Sequence, residues 1–313
     1  MAKVLRKEVQ DYLDVFNNVT LPAMLAAGWK QTIVNAREGL AVLTKNYTPA
    51  GPAVVQILDD VIPCKGYQVP VRIFNPDPSK ALPVLIYYHG GGHGAGSVPV
   101  YDPIYRNLAV RTKHIVIAPE YRLAPENPYP AGEIDAYNTL VNFRPLLDSL
   151  KIKYIDRVSI AGDSAGGALC AVLNRRLQSE PEIKVHRSVL IYPCVDYSMA
   201  GESLKELATG YLLTTAKVAW YHGVYLAHNE NRRVVSPLYG EFTKNMPKSL
   251  VITAQFCVLR SEGKAYADKM KEAGAEVEYI NMDNMTHTFL NTESLNKEEC
   301  DFVYGKIHEF LNN

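Results

Sequence analysis

Eight short, apolar, β-branched runs are spaced along this chain, and stretches with helical patterning separate most of them. The runs are "VVQILDDVIP" (54–63), "VPVRIFNP" (69–76), "VLIYYHG" (84–90), "HIVIAPEY" (114–121), "RVSIAGDS" (157–164), "SVLIYP" (188–193), "SLVITAQF" (249–256) and "EVEYINM" (276–282). Helical stretches fall near 101–112, 132–148, 165–179, 262–273 and 296–311. Continuous apolar strands alternating with helices predict an α/β fold: a mostly parallel, eight-stranded sheet with helices on both faces. The first two runs lie close enough to form a hairpin. Residues 3–48 read as helical, with Val4, Leu5, Val9, Tyr12, Leu13 and Phe16 on one face. The gap between the sixth and seventh runs is longer than one crossover needs, and "ATGYLLTTAKVAWYHGVYLAHN" within it has helical patterning. We expect residues 1–50 and 198–235 to form a helical cap on a single domain spanning 1–313.

The bulk properties remove several function classes. Lys and Arg number 33, as do Asp and Glu, so net charge is zero. That balance lacks the basic footprint of a nucleic-acid binder. The five cysteines are widely spaced with no C-x-x-C pair, which argues against a disulfide framework and a metal site. A reduced, cytoplasmic setting fits that usage. "MAKVLRKEVQDYLDVFNN" carries charges throughout and has no signal-peptide apolar region. No stretch reaches the ~18 apolar residues of a membrane span.

Two glycine-rich stretches carry chemistry. "SIAGDSAGGAL" (159–169) holds Gly162-Asp163-Ser164-Ala165-Gly166 where a β-branched strand runs into a small-residue helix start. A G-x-S-x-G in that context is a nucleophile elbow: a sharp turn lifts the serine above the sheet, and the flanking glycines let the turn close. Asp163, beside it, is read as structural. "YYHGGGHGAGS" (87–97) follows the third run, and its glycines at 90–92 suit a loop whose N–H groups face a ligand. Gly91, Gly92 and Ala165 are the candidate oxyanion donors. A phosphate loop is the rival reading, but no G-K-[ST] follows. His89 is read as bracing the loop, and His93 as a pocket residue.

The two motifs, in this order, resemble the hormone-sensitive-lipase group of α/β-hydrolase esterases. The resemblance runs over roughly residues 55–312 and includes "YRLAPENPYPAGEIDAYNTL" (121–140), "LIYPCVD" (190–196) and "SPLYGEF" (236–242). It implies an α/β-hydrolase fold with a cap, and carboxylic ester hydrolysis on small esters of short to medium acyl chain without a cofactor. A homodimer is compatible with it. Cap aromatics such as Tyr211, Trp220, Tyr221 and Tyr225 either shape an acyl pocket or form the core of the cap.

The base should come from a loop after the last strand. "NMDNMTHTF" (281–289) supplies His287, and the resemblance places the catalytic histidine there too, although Thr288 stands where glycine is common. His114, His186, His222, His228 and His308 are read as surface or structural.

A carboxylate should then orient the histidine. The resemblance implies one in a D-x-L-R-D-E-G-like stretch after the seventh run, but here that stretch is "CVLRSEG", with Cys257 at the acid's position and Ser261 replacing the second aspartate. Four readings stand. Another carboxylate takes the role, Asp196 and Asp283 leading and Glu262 behind them. A Ser164–His287 pair works with a weak third partner, a thiol or a thiolate. The chain binds a small ligand without turnover, as the plant gibberellin receptors do on this scaffold. Or position 257 carries an introduced change. Cys194 and Cys257 would admit a disulfide if their Cα atoms lay within about 7 Å, although two reduced buried thiols are the plainer expectation.

Overall fold

The computed structural model describes residues 4–313. Residues 1–3, where the expected N-terminal helices and cap begin, lie outside the described residues. The chain starts with α1 (Lys7–Val15), a π-helical turn (Phe16–Thr20), α2 (Leu21–Ala26) and α3 (Ile33–Tyr47). The expected helical stretch is therefore broken. Gly28 takes a φ of 84°, which stops α2, and the Thr32 hydroxyl accepts from Asn35 N–H to start α3. Of the predicted apolar face, Leu5, Val9 and Leu13 are buried, whereas Val4 is exposed.

The sheet holds β1 (Gln56–Cys64), β2 (Tyr67–Asn75), β3 (Leu82–Tyr88), β4 (Ile115–Pro119), β5 (Tyr154–Asp163), β6 (Ser188–Ile191), β7 (Ser249–Phe256) and β8 (Val277–Thr286). Their order is β1-β2-β4-β3-β5-β6-β7-β8. The β1–β2 hairpin and the β2–β4 pair are antiparallel, and the remaining pairs are parallel. The crossovers are α4 (Val98–Thr112), α5 (Ala131–Ser149), α6 (Ala165–Leu177) and α10 (Arg260–Glu272), and α11 (Lys297–Asn312) closes the chain. Between β6 and β7 lie α7 (Ser203–Glu206), α8 (Thr215–Tyr225) and α9 (Arg232–Val235).

The continuous apolar strands follow from burial on both faces. In β3, Leu85 and Tyr87 enter one core, while Val84, Ile86 and Tyr88 enter the other. Successive side chains point to opposite faces, so a strand covered on both sides must be apolar at every position. The N-terminal helices and the β6–β7 insertion touch. Asn17 Nδ2 donates to Gly210 O at 2.9 Å, and Ala36 of α3 packs with Tyr221 of α8 and with Ala95. Arg37 Nε also donates to Gly94 O at 2.8 Å, tying α3 to the triple-glycine loop.

An ion pair with a buried carboxylate braces the segment between β4 and α5. The Arg122 guanidinium and its N–H both donate to Asp135, whose carboxylate is buried. Asp135→Ala leaves that backbone N–H and a partly buried cation unpaired, and is expected to cost about 2–4 kcal/mol. Urea unfolding measures this; a change under about 0.5 kcal/mol, typical of a neutral surface site, would contradict it.

Candidate active site

The strand-to-helix turn after β5 holds Ser164 at φ 53° and ψ −115°. A non-glycine residue reaches that region only where surrounding structure enforces it. The packing shows why its neighbours are glycines. A Cβ on Gly166 would lie 1.9 Å from Tyr88 O, and one on Gly162 would lie 2.4 Å from the Gly166 backbone. Ala165 opens α6, so its N–H is one of the free donors at a helix start.

The triple-glycine loop lies beside this turn. Asp163 joins them: its buried carboxylate accepts from Gly90 N–H at 2.8 Å, Tyr87 OH at 3.0 Å and Tyr101 OH at 3.1 Å. Burial raises its pKa to about 6, and the three donors oppose that rise. Gly91 and Gly92 take φ values of 125° and 63°. A Cβ on Gly92 would lie 2.4 Å from the Tyr221 ring, so the ring occupies the space a side chain would need. His89 braces the loop as expected: Nδ1 lies 2.8 Å from Gly90 O, and the ring stacks on Tyr121. His93 is a buried support: its ring stacks on Tyr225 at 3.8 Å and its Nε2 lies 2.9 Å from Tyr197 OH.

His287 follows β8 directly, and its Nε2 lies 3.0 Å from Ser164 Oγ. Thr288, next in the chain, sits at φ 63°, a left-handed position that favours glycine. The Tyr192 ring packs against the imidazole at 4.7 Å, a neighbour the sequence did not flag.

The group at His287 Nδ1 is the Cys257 thiol, with Sγ at 3.1 Å. Leu259 N–H donates to the same sulfur at 3.3 Å. The three carboxylates considered as substitutes are engaged elsewhere. Asp196 accepts from Ser198 N–H, Ala200 N–H and Tyr239 OH. Glu262 Oε1 accepts from Val195 N–H at 2.7 Å and Asp196 N–H at 3.2 Å, bracing the chain beyond β6. Asp283 is exposed on β8 and accepts from Asn281 Nδ2 at 2.7 Å. All five cysteines are free thiols, and Cys194 Sγ faces His222 Nε2 at 3.3 Å. Trp220 packs edge-on to Tyr221, and Tyr211 packs on Phe256. A groove of about 670 Å³ lined by Asp196, Tyr239, Arg260 and Tyr279 contains neither Ser164 nor His287.

The electrostatics of the third position decide what it does. Burial pushes the Cys257 thiol up to about 12, so at neutral pH it is S–H and not the thiolate considered from the sequence. A carboxylate only accepts, and so forces the proton onto Nδ1 and leaves Nε2 free to take a proton. A thiol both donates and accepts, so it stabilises either tautomer. With S–H donating to Nδ1, the ring proton sits on Nε2 and faces Ser164, which is the unproductive arrangement. Burial, and then the nearby Lys217 charge, lower the His287 pKa to about 3.

The junction at Asp163 gives a direct test. Asp163→Ala strands Gly90 N–H and two buried hydroxyls, each worth ~1–3 kcal/mol when unsatisfied. We expect a loss of about 3 kcal/mol or more in urea unfolding; an unchanged midpoint would show that the loop and elbow are held by other contacts.

A family described as alpha/beta hydrolase fold matches residues 85–291. The chain is 33% identical to an ethyl acetate hydrolase of Pseudomonas putida over 241 residues, 74% of this chain and 75% of the relative. It is 32% identical to a gibberellin receptor of Arabidopsis thaliana over 249 residues, 76% and 70% of the two chains. Among solved structures, an alpha/beta hydrolase enzyme from the metagenome of Lake Arreo superposes with a TM-score of 0.88 at 27% identity, covering 98% of this chain and 97% of that one. The chain belongs to the α/β-hydrolase fold family, within its hormone-sensitive-lipase group of carboxylesterase-like serine hydrolases.

Proposed function

We propose that the chain hydrolyses small carboxylic esters of short to medium acyl chain through an acyl-enzyme on Ser164, at a low rate. Ser164 Oγ attacks the ester carbonyl while His287 Nε2 takes its proton. Gly91, Gly92 and Ala165 N–H hold the developing oxyanion, a type of contact worth ~2.7–4 kcal/mol per donor in serine hydrolases. His287 then protonates the leaving alkoxide, and water releases the acyl group by the same route in reverse. The helices of residues 7–47 and 203–235 act together as the cap, with Tyr221, Trp220 and Tyr211 bounding the acyl side. The observation that carries this reading is the 3.0 Å contact between Ser164 Oγ and His287 Nε2 at a strained elbow.

The low rate follows from Cys257. Its neutral thiol neither fixes the productive tautomer nor stabilises the imidazolium formed when Ser164 attacks. In triads that keep the other two members, replacing the acid lowers kcat about 10⁴-fold. The same observation favours a second reading, a small-ligand binding protein, and one of the relatives reported above is a hormone receptor.

Turnover of p-nitrophenyl esters from acetate to decanoate separates the two. We expect measurable hydrolysis of the shorter esters that Ser164→Ala abolishes. No turnover above background, or turnover that survives Ser164→Ala, overturns the esterase reading.

Cys257→Asp tests the third position. It places an acceptor-only group at Nδ1 and is expected to raise kcat by several hundred-fold, within the range set by acid removal elsewhere. The pH profile carries the sign. Neutral His287 is the active base, and its pKa is lowered from 6.5 to about 3, so the acid limb of kcat/KM in the unsubstituted protein lies well below that of an ordinary histidine. The carboxylate stabilises the imidazolium, so in Cys257→Asp the limb moves to higher pH. An unmoved limb would mean that the new carboxyl does not reach Nδ1.

A further inference from the structure

Lys217 is a charged group beside the site that this chemistry leaves unused. It is the third residue of α8, and its backbone N–H donates to the cap hydroxyl of Thr214 at 3.2 Å. A cation in the first turn of a helix opposes the helix dipole. Its side chain is partly buried, burial lowers its pKa, and its ammonium makes no hydrogen bond or ion pair among the described residues. Neither the dipole, the desolvation nor a partner rewards a lysine here.

The direction of the side chain follows from α8. Lys217, Tyr221 and Tyr225 are four residues apart and form one stripe along the helix. The other two members of that stripe face the triple-glycine loop. The Tyr221 ring fills the space beside Gly92, and the Tyr225 ring stacks on His93. Lys217 continues the stripe one turn earlier, and its charge adds to burial in lowering the His287 pKa. It therefore lies on the face of α8 that turns toward the triple-glycine loop.

We propose that Lys217 is a specificity-determining residue that pairs with a carboxylate on the substrate, so that the favoured esters are half-esters of short dicarboxylic acids. This rests on the ester-hydrolase reading and narrows its substrate class. A single ammonium matches a monoanionic carboxylate better than a phosphate, which is recognised by forks or clusters of donors. The pairing has a second effect. Cys257 supplies no negative charge to His287, while Lys217 adds a positive one that opposes the imidazolium. A bound carboxylate cancels that positive charge in the step that needs it. The anionic group thus improves both binding and the proton transfer from Ser164. The plain alternative is a lysine that lays its stem along apolar surface and carries its charge out to water.

The test compares mono-p-nitrophenyl glutarate with chain-matched p-nitrophenyl valerate at low ionic strength. We expect kcat/KM to favour the half-ester by about tenfold or more, the size of one partly buried ion pair. Lys217→Gln should collapse that preference, and Lys217→Arg should retain most of it. A preference that Lys217→Gln leaves unchanged, or no preference in the unsubstituted protein, overturns the proposal. Absence of Ser164-dependent turnover on both esters overturns the hydrolase reading instead. In that case binding decides: Ser164→Ala protein is titrated calorimetrically with glutaric acid monoanilide and with neutral valeranilide. Tighter binding of the anionic anilide that Lys217→Gln removes upholds the role of Lys217, and equal binding of the two overturns it.

Discussion

The Asp163 carboxylate is the point through which the elbow and the triple-glycine loop become one object. It is fully buried, and its oxygens accept from a loop N–H, from a tyrosine on β3 and from a tyrosine on α4. A buried carboxylate is tolerated only when its lone pairs are filled by donors, so the three donors cannot move apart without exposing an unsolvated charge. Ser164 follows Asp163 directly, and Gly91 and Gly92 follow Gly90. One side chain thereby sets the distance between Ser164 and the glycine run. The strained φ of Ser164 persists because this junction and the close approach of Gly166 to Tyr88 O leave the backbone no room to relax.

Position 257 separates the geometry of a contact from its charge. Cys257 lies where the family resemblance implies an acid: beyond β7, buried, and 3.1 Å from Nδ1 of His287. What differs is the number of protons it holds. The contrast with Asp196 and Glu262 is instructive. Both carboxylates lie near the ends of the same strands, but their oxygens are committed to backbone N–H groups and hydroxyls around the chain that leaves β6. Carboxylates that cap backbone turns are structural parts, and proximity in the fold does not release them for another task.

Much of this was legible from sequence because it rests on local patterns. Strand–helix alternation fixed the sheet, since two-sided burial writes a continuous apolar run into its central strands. The elbow and the glycine loop were legible because only glycine survives contacts as close as those at Gly92, Gly162 and Gly166. His287 was legible from its place after the last strand. The rest depended on tertiary placement. The helical stretch expected over 3–48 is interrupted at Gly28, between α2 and α3, a feature too local to disturb the apolar spacing. The partners of Asp196, Asp283 and Glu262 are set by where loops pass, which no spacing records. Lys217 went unnoticed because a lysine in an amphipathic helix reads as solvated until the orientation of α8 is known. Its four-residue spacing from Tyr221 and Tyr225 was the available signal.

The N–H of Leu259, aimed at the Cys257 sulfur, has a wider meaning. A thiol is a weak acceptor and gains little from such a donor. The same dipole would contribute far more to an anion held in a dry interior. The backbone beyond β7 is therefore prearranged to solvate a negative charge that the side chain does not supply. A carboxylate at position 257 would meet that donor already in place, because it belongs to the main chain and not to the side chain.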